Sequence, residues 1–417
     1  MIRAVYLCDP IRTPIGRYGG VLSGIRADDL AALPLRYLKN HLTQVDWDAL
    51  DDIILGATNQ AGEDNRNLAR MAALLAGLPE KVPAVTVNRL CGSGMEAVIQ
   101  AARAIQSGDA ELILAGGAES MSRAPYVQAK GATAFARSPV LEDSTLGWRF
   151  VNPVMAASYG VDSMTETAEN VAEAYRISRA DQDAFALRSQ QRAQAAHTSG
   201  IWAEEIMAVA VRRPHVAERM LLKVADLMIR EDEPPRPEVT LQKLSRLPAL
   251  VGGTVTAGNA CGLNDGAAAM LVASEAAVAK YALQAVARYC GSVAVGVAPR
   301  MMGIGPLPAV TKLLARTGLR PEQIDVLEIN EAFAAQVLAV IRELGFADDA
   351  PQINPNGGAI ALGHPLAMTG TRLLQTAALE LRRRGGKYAV ATMCIGVGQG
   401  IATLLEAVEK GRVMNHD

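Results

Sequence analysis

A chain of 417 residues, half of them apolar and one fifth charged, can bury a large core and divide into two or three domains. The net charge of −2 leaves no basic footprint for nucleic acid or an anionic membrane surface, and no apolar run reaches the roughly 18 residues that span a bilayer. Cys8, Cys91, Cys261, Cys290 and Cys394 are widely spaced and odd in number, which points to a reduced, cytoplasmic chain with no metal-ligand spacing and no targeting segment.

Residues 2–7 alternate as a strand, Arg12-Thr13-Pro14-Ile15-Gly16 reads as a turn, 27–40 as a helix, 50–56 as a strand, and 67–76 as a helix stopped at Gly77. A buried strand is expected over 84–87, then a helix whose apolar face carries Met95, Val98, Ile99 and Ala102. Another strand over 111–115 is closed by Gly116-Gly117. Strands alternating with helices predict an α/β sheet with helices on its faces. From 119 to 252 charges, prolines and polar loops replace that rhythm, as in an insertion. Within it Ser178 starts a helix that Gly200 stops, and 212–246 reads as a solvated loop. After Gly258-Asn259-Ala260 the rhythm returns as an echo: 325–329 answers 52–55, Gly370 answers Gly94, and 387–391 answers 111–115, each about 275 positions apart. A duplicated α/β unit would bring corresponding helix N-termini together at the junction of its halves.

The chemistry gathers on four stretches. Arg89-Leu90-Cys91-Gly92-Ser93-Gly94 puts a cysteine at a strand-to-helix junction, where unpaired N–H groups and the helix dipole favour thiolate over thiol. Asn330-Glu331-Ala332-Phe333 offers an amide able to hold a water. Gly363-His364-Pro365 ends a glycine-rich loop with a histidine, and Cys394-Ile395-Gly396 sets a second cysteine among glycines. A cysteine near a histidine is a nucleophile with its base, and a second cysteine is a separate proton carrier for a carbon acid.

These four stretches stand in the order of the four motifs of the thiolases, and Thr254-Val255-Thr256-Ala257-Gly258-Asn259-Ala260 with Asn264-Asp265-Gly266 resembles a further thiolase segment. The likeness covers essentially the whole chain. Within the family, residues 60–67, 147–153 and 394–400 are most similar to 3-oxoadipyl-CoA thiolases. The resemblance implies an α/β thiolase fold of duplicated halves in five layers, αβαβα. Residues 1–118 and 252–275 would form the N-terminal half, 119–251 an inserted loop domain on the coenzyme A side, and 276–417 the C-terminal half.

By the same resemblance Cys91 is the nucleophile, His364 its activator, Cys394 the acid and base, and Asn330 the holder of a water. His364 and that water would form one oxyanion hole, and the N–H groups of Cys91 and Gly396 the other. Arg236, Lys243, Ala257 and Cys261 are candidates for contacting coenzyme A, a co-substrate rather than a tightly bound cofactor, with Arg212, Arg213 and Arg246 as alternatives to Arg236. Arg149 and Arg66 are candidates for meeting the terminal carboxylate of a 3-oxoadipyl chain. Cys261 stands where the family commonly has serine, and Ala367 where it has glycine, so a pantetheine contact and the fit at a helix start are both altered.

The expected reaction converts 3-oxoadipyl-CoA and coenzyme A to succinyl-CoA and acetyl-CoA, in a homodimer or homotetramer. The competing expectations are a broad 3-ketoacyl-CoA or acetoacetyl-CoA thiolase, a 3-oxoacyl synthase, a cysteine hydrolase, and a coenzyme A-binding protein without turnover. A synthase would carry two histidines beside one cysteine, where this chain has Asn330 and Cys394.

Overall fold

The computed structural model describes residues 3–131, 133–211 and 227–408. Its main strands are β1 (Val5–Arg12), β2 (Asp52–Gly56), β3 (Ala84–Val87), β4 (Leu112–Ser120), β5 (Asn264–Ser274), β6 (Ala285–Gly296), β7 (Val326–Ile329), β8 (Tyr388–Ile395) and β9 (Gln399–Glu406). The principal helices are α1 (Ala27–His41), α2 (Leu68–Leu75), α3 (Ser93–Ser107), α4 (Met164–Ala174), α5 (Arg179–Thr198), α6 (Pro306–Thr317), α7 (Ala334–Glu343) and α8 (Leu366–Arg384). Local chemistry sets their ends. The Asn67 side chain accepts from Arg70 N–H to cap α2, the Ser178 side chain accepts from Asp181 N–H to cap α5, and Gly77 and Gly200 take positive φ after their helices.

The strands hydrogen-bond in the order β7-β8-β9-β6-β1-β5-β4-β2-β3. Outward from the antiparallel β1–β6 pair, the two sides repeat each other. Each has two antiparallel pairings, β1–β5–β4 and β6–β9–β8, followed by a parallel one, β4–β2 and β8–β7. β3 extends the first side in parallel, and a parallel bridge between Leu327 and Ile353 takes its place on the second. The sequence echo is therefore a repeat of topology.

Period-two alternation assigns each strand face to a different core. Leu112 and Leu114 of β4 join α1 and α2, while Ile113 and Ala115 join α3 and α8. On the other side Ala389, Ala391 and Met393 of β8 join that same central core, and Val390 joins a third core with α6 and α7. Three cores separate five layers, and α3 and α8 are the middle one. They cross closely: a Cβ on Gly94 would lie 2.3 Å from the Ala367 carbonyl oxygen, and one on Gly370 2.4 Å from Met95 N.

Four local expectations change. β3 is an edge strand with Val85 40% exposed, not a buried one, because a four-residue run of Ala and Val reads the same at an edge as in a centre. β1 runs through Arg12 instead of turning there, pairing Arg12 with Ala268. β4 passes through Gly116-Gly117 to Ser120, because these glycines admit close neighbours: a Cβ at either would lie 2.1 Å from the carbonyl oxygen of Ala268 or of Ala367. Of the 212–246 loop, 212–226 lie outside the described residues. Asp232 is not solvated but paired with the buried Arg12 at 2.7 Å, and Leu241–Ser245 is a short helix.

The α3–α8 crossing predicts a graded cost of side-chain volume. Gly370→Ala should lose about 1–3 kcal/mol in urea unfolding, through overpacking against Met95. Gly24→Ala, where an added Cβ meets nothing within 4 Å and φ is not positive, should fall within about 0.5 kcal/mol of the parent. Equal midpoints for the two variants would contradict the crossing.

Candidate active site

A tight turn carries the chain from β3 into α3. Asn88 Oδ1 accepts from Leu90 N–H at 2.8 Å, Ser93 Oγ accepts from Arg89 N–H at 2.9 Å and donates to Leu90 O at 2.6 Å, and Leu90 takes a left-handed φ of 46°. Cys91 is left partly buried just before the helix. Its partner from the other half is the β8–β9 turn, where Val397 and Gly398 have positive φ and Gly396 presents its N–H to the Cys91 sulfur. Arg89 stitches the two turns together, donating to Glu96 at 2.9 Å and to Gln399 at 3.1 Å. A side chain on Gly92 would come within 2.7 Å of Ile395 Cδ1.

His364 lies buried at the start of α8. The preceding Gly363 has φ 99° and packs on Asn264, whose Oδ1 accepts from His364 N–H at 2.8 Å. The ring Nδ1 is 2.7 Å from Thr369 Oγ1, and Nε2 is 3.4 Å from Asn330 Nδ2. Asn330 Oδ1 is buried and has no partner among the described residues, so it is free to accept from a water.

Two buried carboxylates that sequence reasoning did not single out hold this frame. Glu331 accepts from Ser189 Oγ at 2.6 Å, Asn354 Nδ2 at 2.8 Å and Ile360 N–H at 3.1 Å, tying the Asn330 loop to α5 and to the glycine-rich loop. Glu119 accepts from Thr58 N–H at 3.1 Å and Ala367 N–H at 3.2 Å, joining the halves where Ala367 replaces the expected glycine. Burial pushes its carboxyl up to about 7 despite those donors. Glu331 stands within the Asn330 motif and could have been found there. Glu119 follows a glycine pair and had no local signal.

Three cavities adjoin these groups. One of about 150 Å³ is lined by Cys91, Cys261, Cys394 and His364 with Phe333 and Met164. A second, about 140 Å³, is bordered by Cys91 and Gly396 and also by Thr58, Thr145, Trp148 and Arg149. A third, about 470 Å³, is lined by Arg236, Lys243 and Ala257, and shares Ala260, Gly262 and Leu263 with the first. Of the four residues expected at coenzyme A, Arg236, Lys243 and Ala257 line the third cavity, and Cys261 lines the neighbouring cavity of the cysteines. Arg149 makes no hydrogen bond or ion pair with any described residue, although its charge reaches Asp143. Arg66 is exposed, with φ 67°, and lines none of the three cavities. Arg246 is exposed after the Leu241–Ser245 helix, and Arg212 and Arg213 lie outside the described residues.

Comparison of the whole chain with known proteins agrees with the motifs. Models of the thiolase N-terminal and C-terminal domains match residues 5–276 and 283–407. The chain belongs to the thiolase family. It is 58% identical to a beta-ketoadipyl-CoA thiolase of Pseudomonas putida over 98% of this chain and 100% of that one. It is equally 58% identical to a 3-oxoadipyl-CoA/3-oxo-5,6-dehydrosuberyl-CoA thiolase of Escherichia coli (strain K12), with the same coverage. A crystal structure of human mitochondrial 3-ketoacyl-CoA thiolase in complex with CoA superposes with a TM-score of 0.87 at 40% identity, over 97% of this chain and 98% of that one. As a thiolase the chain is an acyltransferase with coenzyme A as co-substrate.

Electrostatically the site differs from the thiolate expected at a helix start. Burial pushes the Cys91 thiol up to about 11, outweighing the Gly396 and Cys91 N–H groups that favour the anion. Burial and the charge on Cys91 push Cys261 up to about 12, and Cys394 is raised further by burial and by both other sulfurs. Burial, then the Arg372 charge, hold His364 down at about 3. Near pH 7 the free site is a neutral thiol beside a neutral imidazole. Alkylation of Cys91 by iodoacetamide should therefore rise about tenfold per pH unit from 6 to 9. A plateau below pH 8, reporting a preformed thiolate, is the result that would overturn this.

Proposed function

We propose that this thiolase cleaves 3-oxoadipyl-CoA with coenzyme A, giving succinyl-CoA and acetyl-CoA through an acyl-enzyme on Cys91. The observation that carries the specificity is Arg149, lining a cavity that Cys91 also borders, with no ion-pair partner among the described residues. A terminal carboxylate left without a cation there would cost several kcal/mol, roughly. The names of the relatives support the same substrate.

In the proposed first half-reaction His364 Nε2 takes the Cys91 proton as the sulfur bonds to C3 of the substrate. The oxyanion at C3 is held by the N–H groups of Cys91 and Gly396. The C2–C3 bond then breaks, the enolate oxygen of acetyl-CoA is held by protonated His364 and a water on Asn330, and Cys394 gives its proton to C2. In the second half, the Cys394 thiolate takes the proton of incoming coenzyme A. The coenzyme thiolate attacks the Cys91 thioester, and Cys91 leaves with the proton stored on His364. Each residue returns to its starting state. Coenzyme A would lie along the groove of Arg236, Lys243, Ala257 and Cys261, on the side of the inserted region 119–251, with 1–118 and 252–275 as one half of the fold and 276–417 as the other.

The test compares two substrates. Coenzyme A-dependent cleavage of 3-oxoadipyl-CoA should exceed that of acetoacetyl-CoA in kcat/KM. Arg149→Met should lower kcat/KM for 3-oxoadipyl-CoA by about 100-fold, the size of a charge-assisted bond of roughly 1.5–3 kcal/mol, and leave acetoacetyl-CoA nearly unchanged. Parallel losses on both substrates would give Arg149 a structural role, and a parent enzyme that prefers acetoacetyl-CoA would defeat the assignment.

The proposal extends to a cytoplasmic homodimer or homotetramer. Support for assembly comes from the open edge of β3, beside the exposed Met71, Leu74 and Leu75 of α2, and from exposed Tyr126, Phe135 and Val154 in the insertion. Light scattering on the eluting protein should give two or four times the chain mass. A single-chain mass at micromolar concentration would refute it.

A further inference from the structure

The His364 ring is contacted at both nitrogens, and we infer that Thr369 is a positioning residue that fixes the ring proton on Nδ1, leaving Nε2 bare to receive the Cys91 proton. The inference rests on the acid–base role proposed above for His364 and goes beyond it to a residue that touches neither substrate nor sulfur.

Thr369 Oγ1 lies between two groups, 2.7 Å from His364 Nδ1 and 2.8 Å from the Pro365 carbonyl oxygen. Both side chains are buried, His364 at 4% exposure and Thr369 at 2%, so neither bond is readily exchanged for solvent. A hydroxyl has one proton and two lone pairs, and a carbonyl oxygen can only accept. With its proton given to Pro365 O, which also accepts from the Thr369 and Met368 N–H groups at 3.0 and 3.1 Å, Oγ1 meets Nδ1 with a lone pair. Nδ1 must then be the N–H. The opposite arrangement would turn the hydroxyl proton onto a bare Nδ1 and place the ring proton on Nε2. There it would face Asn330 Nδ2, donor against donor, at 3.4 Å.

The geometry follows from the helix start. Pro365 is the N-cap of α8, and Thr369 follows it by four residues, so its hydroxyl folds back on the Pro365 carbonyl as a threonine inside a helix commonly does. The same turn of backbone carries His364, placed by Gly363 at positive φ and by the Asn264 contact to its N–H. Ring orientation and tautomer are thus tied to one helical turn. With Nε2 bare, the Cys91 S–H proton has an acceptor on the cavity side. After transfer the imidazolium carries N–H on both nitrogens, Nδ1 still bound to Thr369 and Nε2 able to donate to the enolate oxygen.

The test reads the tautomer directly. The chain has five histidines, so side-chain 15N–1H correlation spectra of labelled protein are simple, and the His364 signals are those lost in His364→Asn. The parent should show a protonated Nδ1 and a bare Nε2. Thr369→Ser keeps the acceptor and should retain this signature, with the rate of Cys91 acylation by acyl-CoA within about threefold of the parent. Thr369→Val keeps the shape without the acceptor. It should move the ring proton to Nε2 and slow acylation about 100-fold while leaving the KM for coenzyme A within about twofold, as expected for a lost general base. A parent spectrum with the proton on Nε2 overturns the inference, and so does a folded Thr369→Val protein that acylates at the parent rate. If Thr369→Val does not fold, the parent spectrum decides. Absence of any 3-oxoacyl-CoA cleavage by the parent would sink the functional reading while leaving the tautomer to be judged by the spectrum.

Discussion

The close crossing of α3 and α8 is the constraint on which the site depends. Each helix begins at the end of its own half of the sheet, and only glycine at 94 and 370 lets the two backbones approach as they do. Their N-terminal ends then lie at one place, with Cys91 just before α3 and His364 just before α8. A wider crossing would move apart the helix starts that place the sulfur and the imidazole around one cavity. Glu119 reinforces the same join. It spends a buried carboxylate on N–H groups from both sides, at Thr58 and at the start of α8.

That packing also sets the electrostatics. The packing that brings the two halves together also buries these groups, and burial raises all three cavity thiols and lowers His364. The helix-start donors at Cys91 do not generate a resting thiolate. On the proposed reaction they would instead serve an anion that appears later, on the oxygen of the acyl group, where fixed N–H groups in a buried site are worth more than in water. A neutral resting site holds no charge that must be desolvated before substrate arrives.

Much of this was legible in the sequence, because the fold is written in short periods. The apolar runs at 111–115 and 387–391, the helical readings over 27–40 and 67–76, and the apolar face from Met95 located β4, β8, α1, α2 and α3, and the echo near 275 positions announced the repeat of topology. The motifs pointed to Cys91, His364 and Cys394, which the fold gathers around one cavity. Long-range facts were not legible. No periodicity distinguishes the edge strand β3 from a central one, and the glycine pair in β4 looked like a stop because the carbonyl oxygens of Ala268 and Ala367 that require it lie far along the chain. Burial weighs against the thiolate expected at the helix start for the same reason: the helix dipole is a local feature, whereas burial is tertiary. Arg66 and Arg149 looked alike in sequence, yet only Arg149 borders a cavity with Cys91.

Cys91 stands between two cavities of different character. One is lined also by Cys394 and His364 and shares Ala260, Gly262 and Leu263 with the groove of Arg236 and Lys243. The other is lined by Arg149, Thr145 and Trp148 and shares Leu146, Met164 and Leu366 with the first. A 3-oxoacyl thioester has its coenzyme on one side of C3 and its acyl tail on the other, so a nucleophile placed between two cavities meets C3 with both ends accommodated. On the proposed reaction the proton carriers Cys394 and His364 would lie on the coenzyme side, where C2 becomes a carbanion and needs them. The acyl side would instead offer Arg149. On the proposed reaction, this asymmetry separates chemistry from selection: changes at Arg149 would alter which acyl chain is accepted, while Cys394 and His364, which line only the other of these two cavities, would serve proton transfer at C2.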